Sequence, residues 1–298
     1  MHEQALLNIL RTHYGLDGVS LQHLRDGGSS TYLVEGKKKY FLKVIGAAFE
    51  KTARQSVAIM VYLERCGFPV PKTILTCGGE ALLAISVDGE DRLVVLQEYI
   101  DGDEPDLEAK AAQVGALVRQ LHKLLAQYPE PLVTRDRQFF IGRYLDMLRQ
   151  KQYPRVAEYE ALGDMLWQQV AQQPTGNCHG DLHRGNLLEA ADGRILLVDF
   201  DTVCRAPRMF DVMVMCDMTN YFDLQQADVE ITKTVYSQFL SGYGELSAEE
   251  RCSLKTWVAL RHFQLQATIY EIHGLDRMRE AFVDAQLAWL QTWLKTEI

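Results

Sequence analysis

The sequence predicts an α+β protein of two lobes, a small antiparallel β-rich lobe over residues 1–98 and a larger, mainly helical lobe over 99–298. Three observations point there. The first hundred residues alternate apolar and polar side chains around Gly-rich turns, the period-two signature of half-buried strands. From about residue 106 the apolar spacing changes to three and four, the signature of amphipathic helices. The charge changes at the same place. Residues 1–100 hold 11 Lys/Arg and 11 Asp/Glu, so the net charge of −9 falls wholly in the remainder.

Taken in order, "MHEQALLNILRTHYG" reads as an amphipathic helix and lacks the basic-then-apolar pattern of a signal peptide. "VSLQHLRDGGSSTYLVEGKKKYFLKVIG" (19–46) gives three antiparallel strands, near 19–25, 30–35 and 39–45. "AFEKTARQSVAIMVYLERCG" (48–67) carries helical spacing through Val57, Met60, Val61 and Leu63–Glu64. Residues 68–102 supply further strands, punctuated by Gly-Gly and Asp-Gly turns. Helices follow over 106–127, 138–152 and 156–173, then a loop-rich passage, and from about residue 211 the chain is almost wholly helical.

Composition excludes several classes. No apolar run approaches the ~18–20 residues that span a bilayer, so no membrane partner is expected. The acidic second part argues against binding a nucleic-acid backbone and is compatible with a cationic substrate. The six cysteines (66, 77, 178, 204, 216 and 252) form no CxxC pair and read as reduced thiols of a cytoplasmic protein.

The chemistry concentrates in "CHGDLHRGNLLEAADGRILLVDFD" (178–201). Asp181 and Asn186 stand five apart in a glycine-containing loop, and "RILLVDFD" is a short β-run ending at Asp199. A hairpin there brings Asn186 and Asp199 close together. Carboxylate plus amide oxygen is the hard-oxygen set that Mg²⁺ prefers, shared with substrate phosphates. Asp181 is left to face a substrate hydroxyl and accept its proton. A rival reading takes His179, Asp181 and His183 as zinc ligands of an H-x-D-x-H site, but it leaves Asn186 and the D-F-D run without a role.

H-x-D-x-x-x-x-N followed by D-F-D resembles the catalytic and metal-binding loops of protein-kinase-like phosphotransferases, most of all the aminoglycoside phosphotransferase and choline kinase branch. The resemblance implies a bilobal protein-kinase-like fold, ATP and Mg²⁺ as cofactors, Asp181 as catalytic base, and Asn186 and Asp199 as metal ligands. His179 would brace the loop, and Asp211 falls where the family places an aspartate that hydrogen-bonds it. Asp201 either adds to the metal site or stabilises the turn. His183 either touches substrate or phosphate or is structural.

The same resemblance assigns nucleotide binding to the first lobe. "DGGSSTY" places Gly27, Gly28, Ser29 and Ser30 at the phosphate-covering loop, "YFLKV" places Lys43 at the α/β-phosphate lysine, and "LQEYI" is the hinge, whose backbone from Glu98 to Ile100 would pair with adenine. One departure stands out. The glutamate that normally holds this lysine falls near Gln55 or Ser56, so Lys43 either pairs elsewhere, with Glu50 for instance, or lacks an ion pair.

A small-molecule acceptor is expected over a protein. His183 occupies the place where protein kinases carry a lysine, and only the nine residues 202–210 separate Asp201 from Asp211, too few for an activation segment. Asp217, Asp223, Trp257, Tyr270 and Glu271 are acceptor-pocket candidates suited to an ammonium or amino-sugar, although helical aromatics belong more often to the core. The expected function is ATP- and Mg-dependent transfer of the γ-phosphate to a hydroxyl of an aminoglycoside, choline, homoserine or similar metabolite. The alternative is a kinase-like nucleotide-binding scaffold of the spore-coat-associated type, supported mainly by the missing helix glutamate.

Overall fold

A computed structural model describes residues 3–26, 29–87, 89–224, 229–244 and 246–296. The chain opens with α1 (Glu3–Tyr14), whose buried Leu6, Ile9, Leu10 and Tyr14 recur at helical spacing. Strands β1 (Ser20–Arg25), β2 (Ser29–Glu35) and β3 (Lys39–Gly46) follow, then α2 (Glu50–Arg65). Four more strands complete this stretch: β4 (Thr73–Ile74), β5 (Leu83–Val87), β6 (Glu90–Glu98) and β7 (Gly102–Asp103).

All of these but β7 form an antiparallel sheet in the order β1-β2-β3-β6-β4, with β5 also paired to β6. Because successive side chains of a strand point to opposite faces, the sheet has two apolar sides to cover. Val34, Leu42, Val44, Val94 and Leu96 pack with the buried residues of α1. Ile45, Leu93 and Val95 pack with Ala53 and Val57 of α2. Lys43 shares the parity of Ile45 and therefore rises from the α2 side of β3.

The chain continues through α3 (Leu107–Leu125), α4 (Arg143–Gln150), α5 (Val156–Val170) and β8 (Thr175–Cys178), returns to the sheet-bearing unit with β9 (Leu187–Ala190) and β10 (Ile195–Leu197), and leaves it with β11 (Cys204–Pro207). It ends in α6 (Met209–Cys216), α7 (Val229–Tyr243), α8 (Ala248–Arg251), α9 (Leu254–His273) and α10 (Glu280–Trp293). Asp106 caps α3 by accepting from the amides of Glu108 (3.0 Å) and Ala109 (3.3 Å). The helix expected over 138–152 starts with a wider π-turn, Gln138–Gly142, before α4.

Two compact units result, Met1–Pro105 with Gly185–Thr202, and Asp106–Arg184 with Val203–Ile298. The division differs from the boundary expected at residue 98, and the cause is strand pairing. The two-residue β7 joins β9, which pairs with β10, so the first unit extends to Pro105 and takes in the 185–202 hairpin. Gly102 makes that pairing possible, because a Cβ there would lie 2.5 Å from the Glu189 carbonyl oxygen. The Leu197 amide also donates to the Pro69 carbonyl at 3.0 Å.

In the second unit α3 and α7 touch backbone to backbone. A Cβ on Gly115 would meet the Phe239 carbonyl oxygen at 2.1 Å, and one on Gly242 would meet that of Ala112 at 1.8 Å. Helix α9 is buried nearly all round, from Leu254 through Tyr270, and is the unit's central helix. Phe140 sets edge-on against Phe210 (5.0 Å) and Trp257 (5.2 Å), an arrangement that aromatic quadrupoles favour. Among the described residues no helix is long and apolar enough to cross a membrane.

Candidate active site

In the sheet-bearing unit the site is built on β3 and the β9–β10 hairpin. β3 lies between β2 and β6, so the backbone of Lys43 is held on both sides, opposite Thr31 and Val95. Its ammonium pairs with the Asp201 carboxylate at short range and lies 3.6 Å from Asp199 Oδ1. The lysine side chain is 20% exposed, which keeps this cation at the margin of solvent, where its attraction to two carboxylates is only partly screened.

The hairpin register sets Leu187 opposite Leu197, and the Val198 amide donates to the Asn186 carbonyl at 3.0 Å. The backbone of Asn186 is thereby fastened one residue from Asp199. Asp199 itself adopts φ +63°, left-handed backbone that aspartate tolerates better than most residues. Phe200, 1% exposed, starts a tight 3₁₀ turn, Phe200–Thr202, that packs against α2. The Asp199 carboxylate, the lysine ammonium and the fastened backbone of Asn186 therefore belong to the end of one hairpin. The donor chemistry, a carboxylate and an amide residue beside one ammonium, fits a divalent cation with phosphates.

Of the two alternatives for the lysine, an ion pair made elsewhere or none, the first holds, although not with Glu50. Glu50 pairs with Arg54 within α2 (2.7 Å), and Glu64 accepts from the Thr73 amide (3.2 Å). Among the described residues neither pairs with Lys43, and the carboxylates that hold it come from the D-F-D run.

Other expected nucleotide-binding positions are placed as follows. Gly27 and Gly28 lie outside the described residues. Ser29 and Ser30 open β2 opposite Ile45 and Val44, and the Ser30 hydroxyl donates to Asp26 Oδ1 at 2.7 Å. That hydrogen bond, with a second from His23, holds the Asp26 carboxyl below its ordinary value. The Glu98 amide donates to Lys72 (2.8 Å) and the Tyr99 amide to Lys39 (3.4 Å), so two amides of the hinge stretch ending at Ile100 serve the sheet.

In the helical unit the centre is Asp211 on α6, fully buried. Its oxygens accept from the amides of His179 (2.7 Å) and Gly180 (2.9 Å) and receive His122 Nε2 at 2.9 Å. His122 in turn meets the Tyr243 hydroxyl at 2.7 Å. Burial raises the Asp211 carboxyl, but the hydrogen bond and charge of His122, the charge of His179 and the Gly180 amide outweigh it, leaving Asp211 below its ordinary value. The loop that carries Asp181 is thus fastened by its own backbone amides. Directly upstream, β8 and β11 pair Cys178 with Cys204, both buried, and burial pushes both thiols up.

Asp181 accepts from Arg261 Nη2 at 3.2 Å, and His183 Nε2 lies 3.6 Å from its other oxygen. Arg261, on α9, is itself held by Gln264 and sits over the Phe210 ring at 5.8 Å. A buried, doubly held guanidinium fixes the direction of the carboxylate it touches. Replacing it with glutamine is expected to lower kcat about tenfold while leaving KM unchanged, with Arg261→Lys intermediate. Steady-state kinetics of the three proteins check this, and a KM change without a kcat change would contradict it.

Among the described residues, His179, Asp181 and His183 do not gather as a metal trio. The three that do converge, with ligand atoms within 4.8 Å, are His122, Cys178 and Asp211. There the histidine and both carboxylate oxygens are already hydrogen-bonded, and burial favours the neutral thiol.

The acceptor candidates divide. Trp257 and Tyr270 are core, Trp257 donating to Gln173 and Tyr270 stacked on Tyr144. Glu271 is paired with Arg143 at 2.6 Å, and Asp223 is exposed. Asp217 accepts from the Thr219 and Tyr221 hydroxyls, and burial raises its carboxyl against those bonds. Arg261 and His122 were not singled out for the site by sequence. Both sit on helices with no local motif to mark them.

Comparison with known proteins agrees with this architecture. Residues 20–252 match the model of the phosphotransferase enzyme family. A relative from Deinococcus radiodurans, described as an uncharacterized protein, is 24% identical, the match covering 97% of this chain and 89% of that one. Among solved structures, the amicoumacin kinase hAmiN in complex with AMP-PNP, Ca²⁺ and Ami is similar with a TM-score of 0.76 at 20% identity, covering 98% of this chain and 93% of that one. The microcompartment-associated aminopropanol kinase gives 0.74 at 19% identity, covering 97% and 94%. These likenesses show a shared α+β, kinase-like fold.

Proposed function

The chain belongs to the phosphotransferase enzyme family, and on that premise we propose that it moves the γ-phosphate of ATP to a hydroxyl of a small molecule, with Mg²⁺. The observation that carries this reading is the cluster of Lys43, Asp199 and Asp201, with the Asn186 backbone fastened beside it. One cation beside paired hard-oxygen donors is what a metal–triphosphate requires.

Asn186 and Asp199 would hold the metal, which when bound neutralises charge on the phosphates. Lys43 would steady the α- and β-phosphates. Asp181, aimed by Arg261, would orient the acceptor hydroxyl and take its proton as the oxygen attacks. The rate gain then comes mainly from positioning and from fixed charge. The backbone from Glu98 to Ile100 would pair with adenine, and Ser29 and Ser30, with Gly27 and Gly28, would border the phosphates.

For the acceptor, aminopropanol kinase among the similar structures is named for a small amine-bearing alcohol, so that class leads the candidates, with aminoglycosides and homoserine beside it. The short link between Asp201 and Asp211 favours a small acceptor over a protein. The rival reading, a nucleotide-binding scaffold without turnover, drew on a lysine lacking a partner, and Lys43 has two.

An ADP-release screen over hydroxylated metabolites, amino alcohols and aminoglycosides tests the proposal. Acceptor-stimulated ADP release that requires Mg²⁺ is expected. Nucleotide binding that ignores Mg²⁺, with no acceptor stimulating release, would support the scaffold instead.

A further inference from the structure

We infer that Asp201 is the positioning residue for Lys43, replacing the carboxylate that α2 does not supply. The inference rests on the phosphotransferase reading above and assigns one further residue to its nucleotide-binding half.

The sheet face that carries Lys43 is covered by α2, the natural place for a lysine partner. The buried residues of that helix are Ala53, Ser56, Val57, Ile59, Met60 and Leu63, none charged, and Ala53 and Val57 pack on the sheet. Its carboxylates at either end are engaged locally, Glu50 with Arg54 and Glu64 with the Thr73 amide. The acid that reaches the ammonium most closely is instead Asp201. Asp201 owes its position to its neighbour, since Phe200 is 1% exposed and the turn it anchors packs on α2. The helix thus serves the lysine at one remove, by seating the turn that carries the carboxylate.

The two acids of the D-F-D run then divide the work. Asp199, on left-handed backbone beside Asn186, has its oxygen 3.6 Å from the ammonium and is the looser partner, left for the metal. Asp201 is the tighter one. A lysine ammonium has three donors, so it can keep Asp201 while donating to a phosphate. Without Asp201 the flexible stem would let the ammonium settle on Asp199 or swing into water.

A double-mutant cycle on Lys43 and Asp201 tests this. ADP release is measured at saturating Mg²⁺, with an acceptor or with water, for wild type, Lys43→Met, Asp201→Asn and the double variant, with Asp201→Glu as the conservative control. Asp201→Asn is expected to lower kcat/KM for ATP about 10- to 100-fold, as loss of a charged hydrogen bond does. The double variant should be no worse than Lys43→Met within about threefold, because both changes remove one interaction. Asp201→Glu should recover part of the loss, and the Mg²⁺ concentration for half-maximal rate should stay unchanged in Asp201→Asn.

Losses that multiply in the double variant, a raised Mg²⁺ requirement, or wild-type kcat/KM in Asp201→Asn would each overturn the inference and leave the phosphotransferase reading standing. Thermal melts of all variants show whether a loss is unfolding, and if Asp201→Asn fails to fold, Asp201→Glu and Lys43→Met are compared in its place, equal melting with equal activity overturning the inference. A wild-type chain that neither binds nucleotide nor releases ADP would overturn both.

Discussion

Asp199→Asn is expected to abolish Mg²⁺-dependent turnover, lowering kcat by ~10³-fold or more, because the metal's charge stabilisation is worth several kcal/mol in the transition state. Asparagine is the informative substitution. Asp199 sits at φ +63°, where asparagine is tolerated and alanine adds a backbone strain of about 1–2 kcal/mol. Asparagine also keeps the volume and one acceptor oxygen, so the hairpin end beside Asn186 is disturbed little. Asp199→Ala should be at least as inactive but less stable. Initial rates and nucleotide affinity, each titrated with Mg²⁺, check the result. In the wild type Mg²⁺ should tighten nucleotide binding, and in Asp199→Asn that response should vanish. A variant that kept both the rate and the Mg²⁺ response would remove Asp199 from the metal site.

Asp181→Asn is expected to lower kcat by ~10²–10⁴-fold, the usual value of a positioned base, with nucleotide affinity unchanged. The structure makes the separation sharp. Asp181 belongs to the helical unit, on a loop whose amides at His179 and Gly180 are tied to buried Asp211. Nothing in that tether depends on the Asp181 carboxylate, so the loop should survive the change. Arg261 can still donate to the asparagine oxygen, which preserves the side chain's direction. What is lost is the capacity to take a proton. Single-turnover rates and nucleotide affinity for wild type and variant measure the two effects apart. Turnover at the wild-type rate would exclude Asp181 as the base.

Much of the fold was legible because it is written in local periodicity. The alternation of Leu42 and Val44 against Lys43 and Ile45 follows from strand geometry, and the two apolar clusters on either side of the sheet realise it. The hairpin joining Asn186 to Asp199 was legible for the same reason, being one turn between two short apolar runs. The unit boundary was not. β7 is only Gly102–Asp103, and two residues without an apolar pattern give no sign that they pair with residues 189–190.

The partners of the site residues were hardest to read. Lys43 and Asp201 are 158 positions apart, and no spacing rule links such a pair. Among the described residues α2 gives the lysine no carboxylate and instead seats the turn that carries one. Arg261 lies on a helix buried nearly all round, where no contrast of faces marks a functional side. His122 is plain among the apolar residues of α3 until Asp211 and Tyr243 are placed beside it. For Trp257 and Tyr270 the core, the commoner place for helical aromatics, is where the structure puts them. Aromatics among helices suggest a pocket for a cation, yet here both complete the core.

The central claim, transfer of the γ-phosphate to a hydroxyl, is tested most directly by phosphorus NMR of the wild-type chain with ATP, Mg²⁺ and an acceptor that stimulates ADP release. ADP and a phosphomonoester of the acceptor should appear in equal amounts, with little free phosphate and no product when Mg²⁺ is withheld. ADP accompanied only by inorganic phosphate, or an ATP spectrum that never changes, would contradict it.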